Sequence, residues 1–292
     1  IKQAEHENIS TPKLSLFRLR ARSRQAKTRG EAEKILDDAA ALLAGMEESR
    51  ENAKIRGEIY AEAARVQNNL GDGKAALAYI NRALAQDDRP FFKWMKGSFL
   101  FDLEKYQEAL KILQSCEMDF PEGDMVMFRI GECFHRLGKM EQAAAYLNKT
   151  LEIDPENGRA NSKLAEIYRD LLEEKEDLAY YEKALVFADR QLELRPEAYY
   201  YVERGLLHMA AAHFCRAVKD FEEALRLEPE NVYAHNNICV CCRMLEEYEK
   251  AIEAGKKAEH VLGEQDKVRV YGNLGDCYME TGCFHQAEEY YL

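Results

Sequence analysis

Three side chains in the second half of the chain have the spacing of a metal site. His235, Cys239 and Cys242 stand at i, i+4 and i+7, on one face of any helix that carries them, and Cys277, Cys283 and His285 follow further on. Imidazole nitrogens and thiolate sulfurs so spaced can close a tetrahedral shell around zinc. The competing reading is plain packing, because a buried cysteine behaves as a small apolar residue. Cys239 lies twelve residues before Ala251, within a series of small residues that recurs along the chain. We therefore read Cys239 and Cys242 as core and expect no metal and no cofactor. Eight cysteines in a 292-residue chain that is not loop-rich read as free thiols of a reducing compartment. No Gly-rich phosphate loop, His-Glu-x-x-His or contextual Ser-His-Asp order is present. The many carboxylates fall on outward places and read as solvated faces. No catalytic residue is expected, and the chain reads as non-enzymatic.

The elements that would position any such side chain are helices. Ala, Leu, Glu, Lys and Arg dominate, with only six prolines and 16 glycines to interrupt them. No apolar run approaches the length of a membrane span. Two stretches, "AVKDFEEALRLEPEN" from Ala217 and "AAYLNKTLEIDPEN" from Ala144, end in nearly the same phrase. The small residues Ala64, Gly97, Gly131, Ala165, Gly205, Cys239 and Gly275 are 33, 34, 34, 40, 34 and 36 residues apart. A second series, Ala76, Ala109, Ala143, Ala184, Ala217, Ala251 and Ala287, runs beside it, and Pro121, Pro155, Pro196 and Pro229 follow twelve residues after its members. A period near 34 built of two helical segments predicts a solenoid. In each unit one helix carries a stripe such as Phe128, Ile130, Gly131, Phe134 and Leu137, and the other a stripe such as Ala217, Phe221, Ala224 and Leu225. Gly71, Gly138 and Gly282 mark left-handed turns between them. Proline stops the second helix, and the Glu-Asn after it helps start the next.

This pattern resembles the tetratricopeptide repeat. The fifth unit matches it with Gly205, His208, Ala212, Ala217, Phe221, Ala224 and Pro229, and the third with Gly131, Phe134, Gly138, Ala143, Leu147, Thr150 and Pro155. His208, Glu104, Thr150 and Cys116 depart from the family's usual residue types. The resemblance covers residues 57–291, in units 57–89, 90–123, 124–157, 158–197, 198–231, 232–267 and 268–292, the last incomplete. The fourth carries about seven extra residues, expected as longer helices or a charged loop. Residues 31–56 read as a degenerate helical half-repeat, which with 13–28 before it makes a degenerate eighth unit. We expect an all-α, right-handed superhelical solenoid of antiparallel helix pairs, in one continuous array of about seven repeats. The start at Ile1 and the finish at "EEYYL", inside a helical pattern, suggest a piece of something longer.

The resemblance implies that the first helices line a concave groove that holds a peptide or a partner's helix. The candidate contacts are Trp94, Phe101 and Phe128 as apolar anchors, Arg129, Arg136, Lys163 and Arg169 as charge partners, and Asn237 and Asn273 as clamps on peptide backbone. Four cations on adjacent inner faces favour an acidic segment. Phe91, Trp94 and Phe101 are open to a second reading, packing between helices, because Lys93 and Lys96 stand at normally buried places and hint at a rotated helix. The family's carboxylate clamp for chaperone tails is absent. Charge is uneven: the total is −12, yet residues 1–30 carry eight Lys or Arg against two Glu. An acidic body argues against nucleic-acid binding. Membrane contact is left only to the basic segment 1–30, expected as a linker or a poorly ordered helix. The functional expectation is a protein-interaction scaffold, cytoplasmic or the cytoplasmic part of a larger protein. The alternative is a regulatory module of a larger enzyme or membrane-attached protein. A third class, a peptide-sensing transcription regulator, lacks support because residues 1–56 do not read as a helix-turn-helix.

Overall fold

Proline and asparagine divide the labour at the helix ends. The structure, a computed structural model, describes residues 11–25, 28–120, 123–262 and 267–292. Pro121, one of the four expected stops, lies outside them, as do residues 1–10, 26 and 27 of the basic segment. Pro155, Pro196 and Pro229 each fall two residues beyond the last helical residue, at Ile153, Leu194 and Leu227. The Asn that follows two of these prolines then caps the next helix. Asn157 Oδ1 accepts from Ala160 N at 3.1 Å, and Asn231 Oδ1 accepts from Ala234 N at 3.0 Å. Each cap satisfies a backbone donor that the first turn leaves orphaned.

Among the described residues there are sixteen α-helices and no strand. They belong to two compact units, Ile1–Ile153 and Asp154–Leu292. The first holds α1 (Thr11–Gln25), α2 (Arg29–Ala44), α3 (Arg50–Asn69), α4 (Gly73–Gln86), α5 (Pro90–Asp102), α6 (Tyr106–Ser115), α7 (Asp124–Arg136) and α8 (Met140–Ile153). The basic segment was expected as a linker or a poorly ordered helix, and its described part is helical. That part supplies α1, docked on α2 and α3 through buried Leu16 and Leu19 beside Ile35 and Ile59. Two of its cations are matched: Arg20 pairs with Glu58 at 2.7 Å and Arg22 pairs with Asp38.

The second unit holds α9 (Gly158–Lys175), α10 (Ala179–Leu194), α11 (Ala198–Ala210), α12 (Phe214–Leu227), α13 (Val232–Met244), α14 (Tyr248–Val261), α15 (Val268–Glu280) and α16 (Phe284–Tyr291). The extra residues of the fourth repeat lengthen α9 to 18 residues, against 13 in α11 and α13. Within each unit consecutive helices pack as antiparallel pairs, and the pairs stack, so the expected all-α helical-repeat fold is the observed one.

The small residues earn their places sterically. Ala76, Ala109, Ala143, Ala184, Ala217, Ala251 and Ala287 have no exposed surface. A Cβ built on Gly205 would come within 2.6 Å of Phe221 Cε1, so the pair α11–α12 closes only because that hydrogen is there. The turns inside the pairs require a left-handed residue. Gly71, Gly138 and Gly282 supply it with φ of 81, 70 and 73°, but Glu104, Ala212 and Glu246 do the same work at 60, 57 and 60°.

Candidate functional site

In the first unit the expected anchors are only partly available. Trp94 is half-buried against Phe92, Met95 and Phe99 of the core, and its ring stacks on Phe91 at 5.5 Å. Its indole Nε1 is buried and has no hydrogen-bond partner among the described residues. Phe91 is 50% exposed and is the more accessible ring. The buried stripe of α5 is Phe92, Met95 and Phe99, with Lys93 turned to Asp88 at 2.9 Å. That stripe accommodates the two lysines at the edge of the core. Phe101 is half-buried, edge-on to Tyr106 at 5.2 Å, with the Arg129 guanidinium 4.6 Å above its ring. Phe128 is 6% exposed and offers no surface anchor, which corrects the expectation for that residue: it fills the core stripe of α7. Arg129 is tied to Glu132 at 3.0 Å. Arg136 is exposed, with no ion pair among the described residues.

In the second unit α9, α11, α13 and α15 lie side by side, each neighbour in contact with the next. The expected cations are present but matched. Lys163 pairs with Glu166 and Arg169 with Glu203 at 3.0 Å, and a cation outside the expected set, Arg243, pairs with Asp276 at 3.6 Å. The expected amide clamps are arranged differently from a simple Asn237–Asn273 series. Asn273 Nδ2 donates to Asn236 Oδ1 at 2.9 Å, and Asn236 is buried. Asn237 is half-buried, and its amide has no hydrogen-bond partner among the described residues. Beside these amides stand exposed Tyr199, Tyr233 and Met279 on α11, α13 and α15. The exposure of the two tyrosines, 58% and 71%, depends on packing that a sequence does not display.

A buried polar network was missed altogether. It joins α10, α11 and α12, and it explains the His at a place where the repeat prefers an aromatic residue or Leu. His208 Nε2 faces Asp220 Oδ2 at 3.4 Å, and its Nδ1 meets the Tyr181 hydroxyl at 3.1 Å. Arg216 Nη1 donates to that hydroxyl at 3.2 Å. Arg204 grips Asp220 with two bonds of 2.9 and 2.6 Å and reaches Asp189 at 2.6 Å. Every partner is satisfied when His208 carries its proton on Nε2 and accepts from Tyr181 at Nδ1. Burial lowers the His208 pKa; Asp220 opposes this, while Arg204, Arg216 and His213 add to it. The only advance signals were His208 itself and Asp220 in the middle of an apolar stripe.

Six of the eight thiols sit in the core. Cys239, Cys242 and Cys277 share one apolar cluster with Ala251 and Ala254. His235 Nε2 is engaged with the Pro229 carbonyl at 2.9 Å, and His285 is exposed beside Glu289. Burial pushes the Cys133 and Cys241 thiols up to about 12. The Cys239 thiol is raised by its hydrogen bond with Cys277 and by burial. A thiol held protonated is a poor nucleophile and a poor metal ligand.

Comparison with known proteins agrees with this geometry. Profiles described as tetratricopeptide repeat match residues 100–167, 202–267 and 268–292, together more than half of the chain. The chain is 23% identical over 237 residues to tetratricopeptide repeat protein 16 of Homo sapiens, covering 74% of this chain and 27% of that one. It is 20% identical over 182 residues to a TPR repeat-containing protein of Methanocaldococcus jannaschii, covering 61% of this chain and 32% of that one. The chain thus spans a third or less of the length of these two relatives. Among solved structures, the C-terminal part of a TPR repeat-containing protein from Cytophaga hutchinsonii superposes with a TM-score of 0.69 at 15% identity, covering 90% of this chain and 99% of that one. A tetratricopeptide repeat protein from Parabacteroides merdae gives 0.60 at 17% identity, covering 91% and 99%. At such identities the likeness is one of fold. No helix among the described residues is long and apolar enough to cross a membrane.

Proposed function

The chain belongs to the tetratricopeptide repeat family, and from that premise we propose that it is a non-enzymatic interaction scaffold that holds an extended segment of a partner protein. In the unit 154–292 the binding face is the row α9, α11, α13 and α15. The observation that carries this reading is the pairing of exposed rings with an amide left free. Tyr199 and Tyr233 are exposed on α11 and α13, and Tyr233 stands one helical turn before the unpartnered amide of Asn237. Tyrosine offers a large contact area at low entropic cost, and an amide can both donate to and accept from a peptide group. Of the four cations behind the expected acidic partner, Arg129, Lys163 and Arg169 are held by carboxylates and Arg136 has no ion pair among the described residues, which weakens the charge argument for an acidic segment.

The test is affinity capture followed by mass spectrometry, with wild type and the Tyr199→Ala/Tyr233→Ala/Asn237→Ala variant. Partners retained by the wild type and lost by a variant of unchanged circular dichroism support the reading. Partners that survive the triple change, and leave only when residues 1–30 are removed, defeat it. A second reading, a regulatory repeat module within a larger enzyme or membrane-attached protein, draws on the greater length of the relatives. It predicts the same binding face.

A further inference from the structure

Between α9 and α11 lies a groove of about 460 Å³, lined by Arg169, Asp170, Glu173, Leu206, Met209 and Ala210. Its two kinds of wall have different chemistry. Leu206, Met209 and Ala210 form an apolar floor one helical turn beyond Glu203. The rim is ionic, and its single cation is already engaged: Arg169 reaches Glu203 at 3.0 Å and Asp170 at 4.0 Å. Glu173 is exposed and has no ion pair among the described residues. The rim thus keeps one carboxylate, Glu173, that its guanidinium does not pair with.

An apolar floor beneath a carboxylate rim discriminates among side chains. An acidic side chain is repelled. A purely apolar one would cover the floor but strip water from Glu173 without replacing it. A long basic side chain satisfies both walls, since its methylenes lie on apolar surface while its charged end stays at the rim. We propose that this groove seats an arginine or lysine of the partner segment, with its stem on Leu206 and Met209 and its charge at Glu173. The proposal rests on the reading of the α9–α11–α13–α15 row as the binding face. It reverses the sign of the segment expected from the sequence. Charge complementarity of this kind sets which partner is accepted and in what register.

The test uses a phage-displayed library of random decapeptides, about ten residues being enough to cross two neighbouring repeats in extended form, selected on the full chain. The expected consensus carries Arg or Lys at one fixed position. Replacing that residue by norleucine weakens binding of the synthetic peptide by about tenfold, and Glu173→Lys weakens it by a similar factor. Changing the peptide's basic residue to Glu restores binding to the Glu173→Lys chain. Glu173 is exposed, so the variant keeps its fold, and a circular-dichroism spectrum checks this. Selected peptides that lack a basic residue, or that bind wild type and Glu173→Lys alike, overturn the proposal. If those peptides still lose affinity with Tyr199→Ala/Tyr233→Ala, the binding face stands without the basic anchor. If they ignore that double change as well, or if the library yields no binder, the face itself is refuted and the proposal falls with it.

Discussion

At the scale of single residues, burial decides which of the chemically capable side chains can act. Six of the eight cysteines are buried, Cys215 is exposed and Cys283 is half-buried. Native protein treated with iodoacetamide at mildly alkaline pH should be alkylated at Cys215 and Cys283, and the remaining six should react only after denaturation. Peptide mass mapping gives the answer, and rapid native labelling of Cys239 or Cys242 would contradict the core assignment. The imidazole of His208 leads to a pH dependence. Its folded pKa lies below the ordinary 6.5, because burial and the cations Arg204 and Arg216 disfavour the charged form more than Asp220 favours it. As pH falls through about 6.5, the unfolded chain takes up a proton that the folded chain refuses, so stability drops on the acid side. His208→Phe should show a smaller loss between pH 7.5 and 5.5 than wild type in urea titrations. An unchanged slope would mean that other groups set the acid limit. The sequence made the packing residues legible, Gly131 and Ala217 among them, because each recurs one period away. It hid the charge state of the binding face, because Arg169 finds Glu203 only when two helices lie side by side. The longer fourth repeat hides it further: equivalent places such as Ala165 and Gly205 are 40 residues apart there, whereas Arg169 and Glu203 are 34 apart, so the usual period does not bring the two together.

At the scale of elements, the turn inside each helix pair has one demanding position, and the sequence fills it unevenly. Gly138 adopts a positive φ at little cost, whereas Ala212 must hold the same conformation against its own Cβ. A left-handed residue other than glycine costs roughly 1–2 kcal/mol, part of which a glycine gives back as extra freedom in the unfolded chain. Ala212→Gly should therefore stabilise the second unit by up to about 1 kcal/mol, and Gly138→Ala should destabilise the first by a similar amount. Thermal melts of the two variants should move in opposite directions; two shifts of the same sign would show that neighbouring contacts, not backbone strain, control these turns. The prolines and the Asn caps were legible for a local reason: their work is done within three or four residues of themselves. The docking of α1 was not, because Leu16 and Leu19 sit among arginines in a stretch whose composition reads as solvated.

At the scale of the molecule, stability is the sum of helix pairs and the contacts between neighbouring pairs, not of one deep core. Overpacking a pair should be felt strongly and locally. Ala217→Leu, or Gly205→Leu beside Phe221, should cost 1–3 kcal/mol or more by the usual scale of such changes, while Glu222→Ala, on the exposed face of α12, should stay within about 0.5 kcal/mol. Equal small effects at all three sites would refute the register. Residues 154–292 have core clusters of their own, built on Phe221, Tyr181, Cys239 and Leu274. Expressed alone, this stretch should keep its helical spectrum and melt cooperatively.

The phrase that closes two of the repeats, a proline followed by a capping asparagine, also bears on a timetable. Within each unit the packing partners of a helix pair lie within a few dozen residues along the chain. A ribosome delivers a 34-residue repeat in about 2–7 s at ordinary elongation rates. Helices and short loops settle in microseconds. Within each unit a pair can therefore be docked on its predecessor before the next has left the exit tunnel, and synthesis sets the pace of folding. The exposed edge at any moment is one unfinished helix pair, so a nascent chain of this kind presents chaperones with a small and constant target, whatever its length.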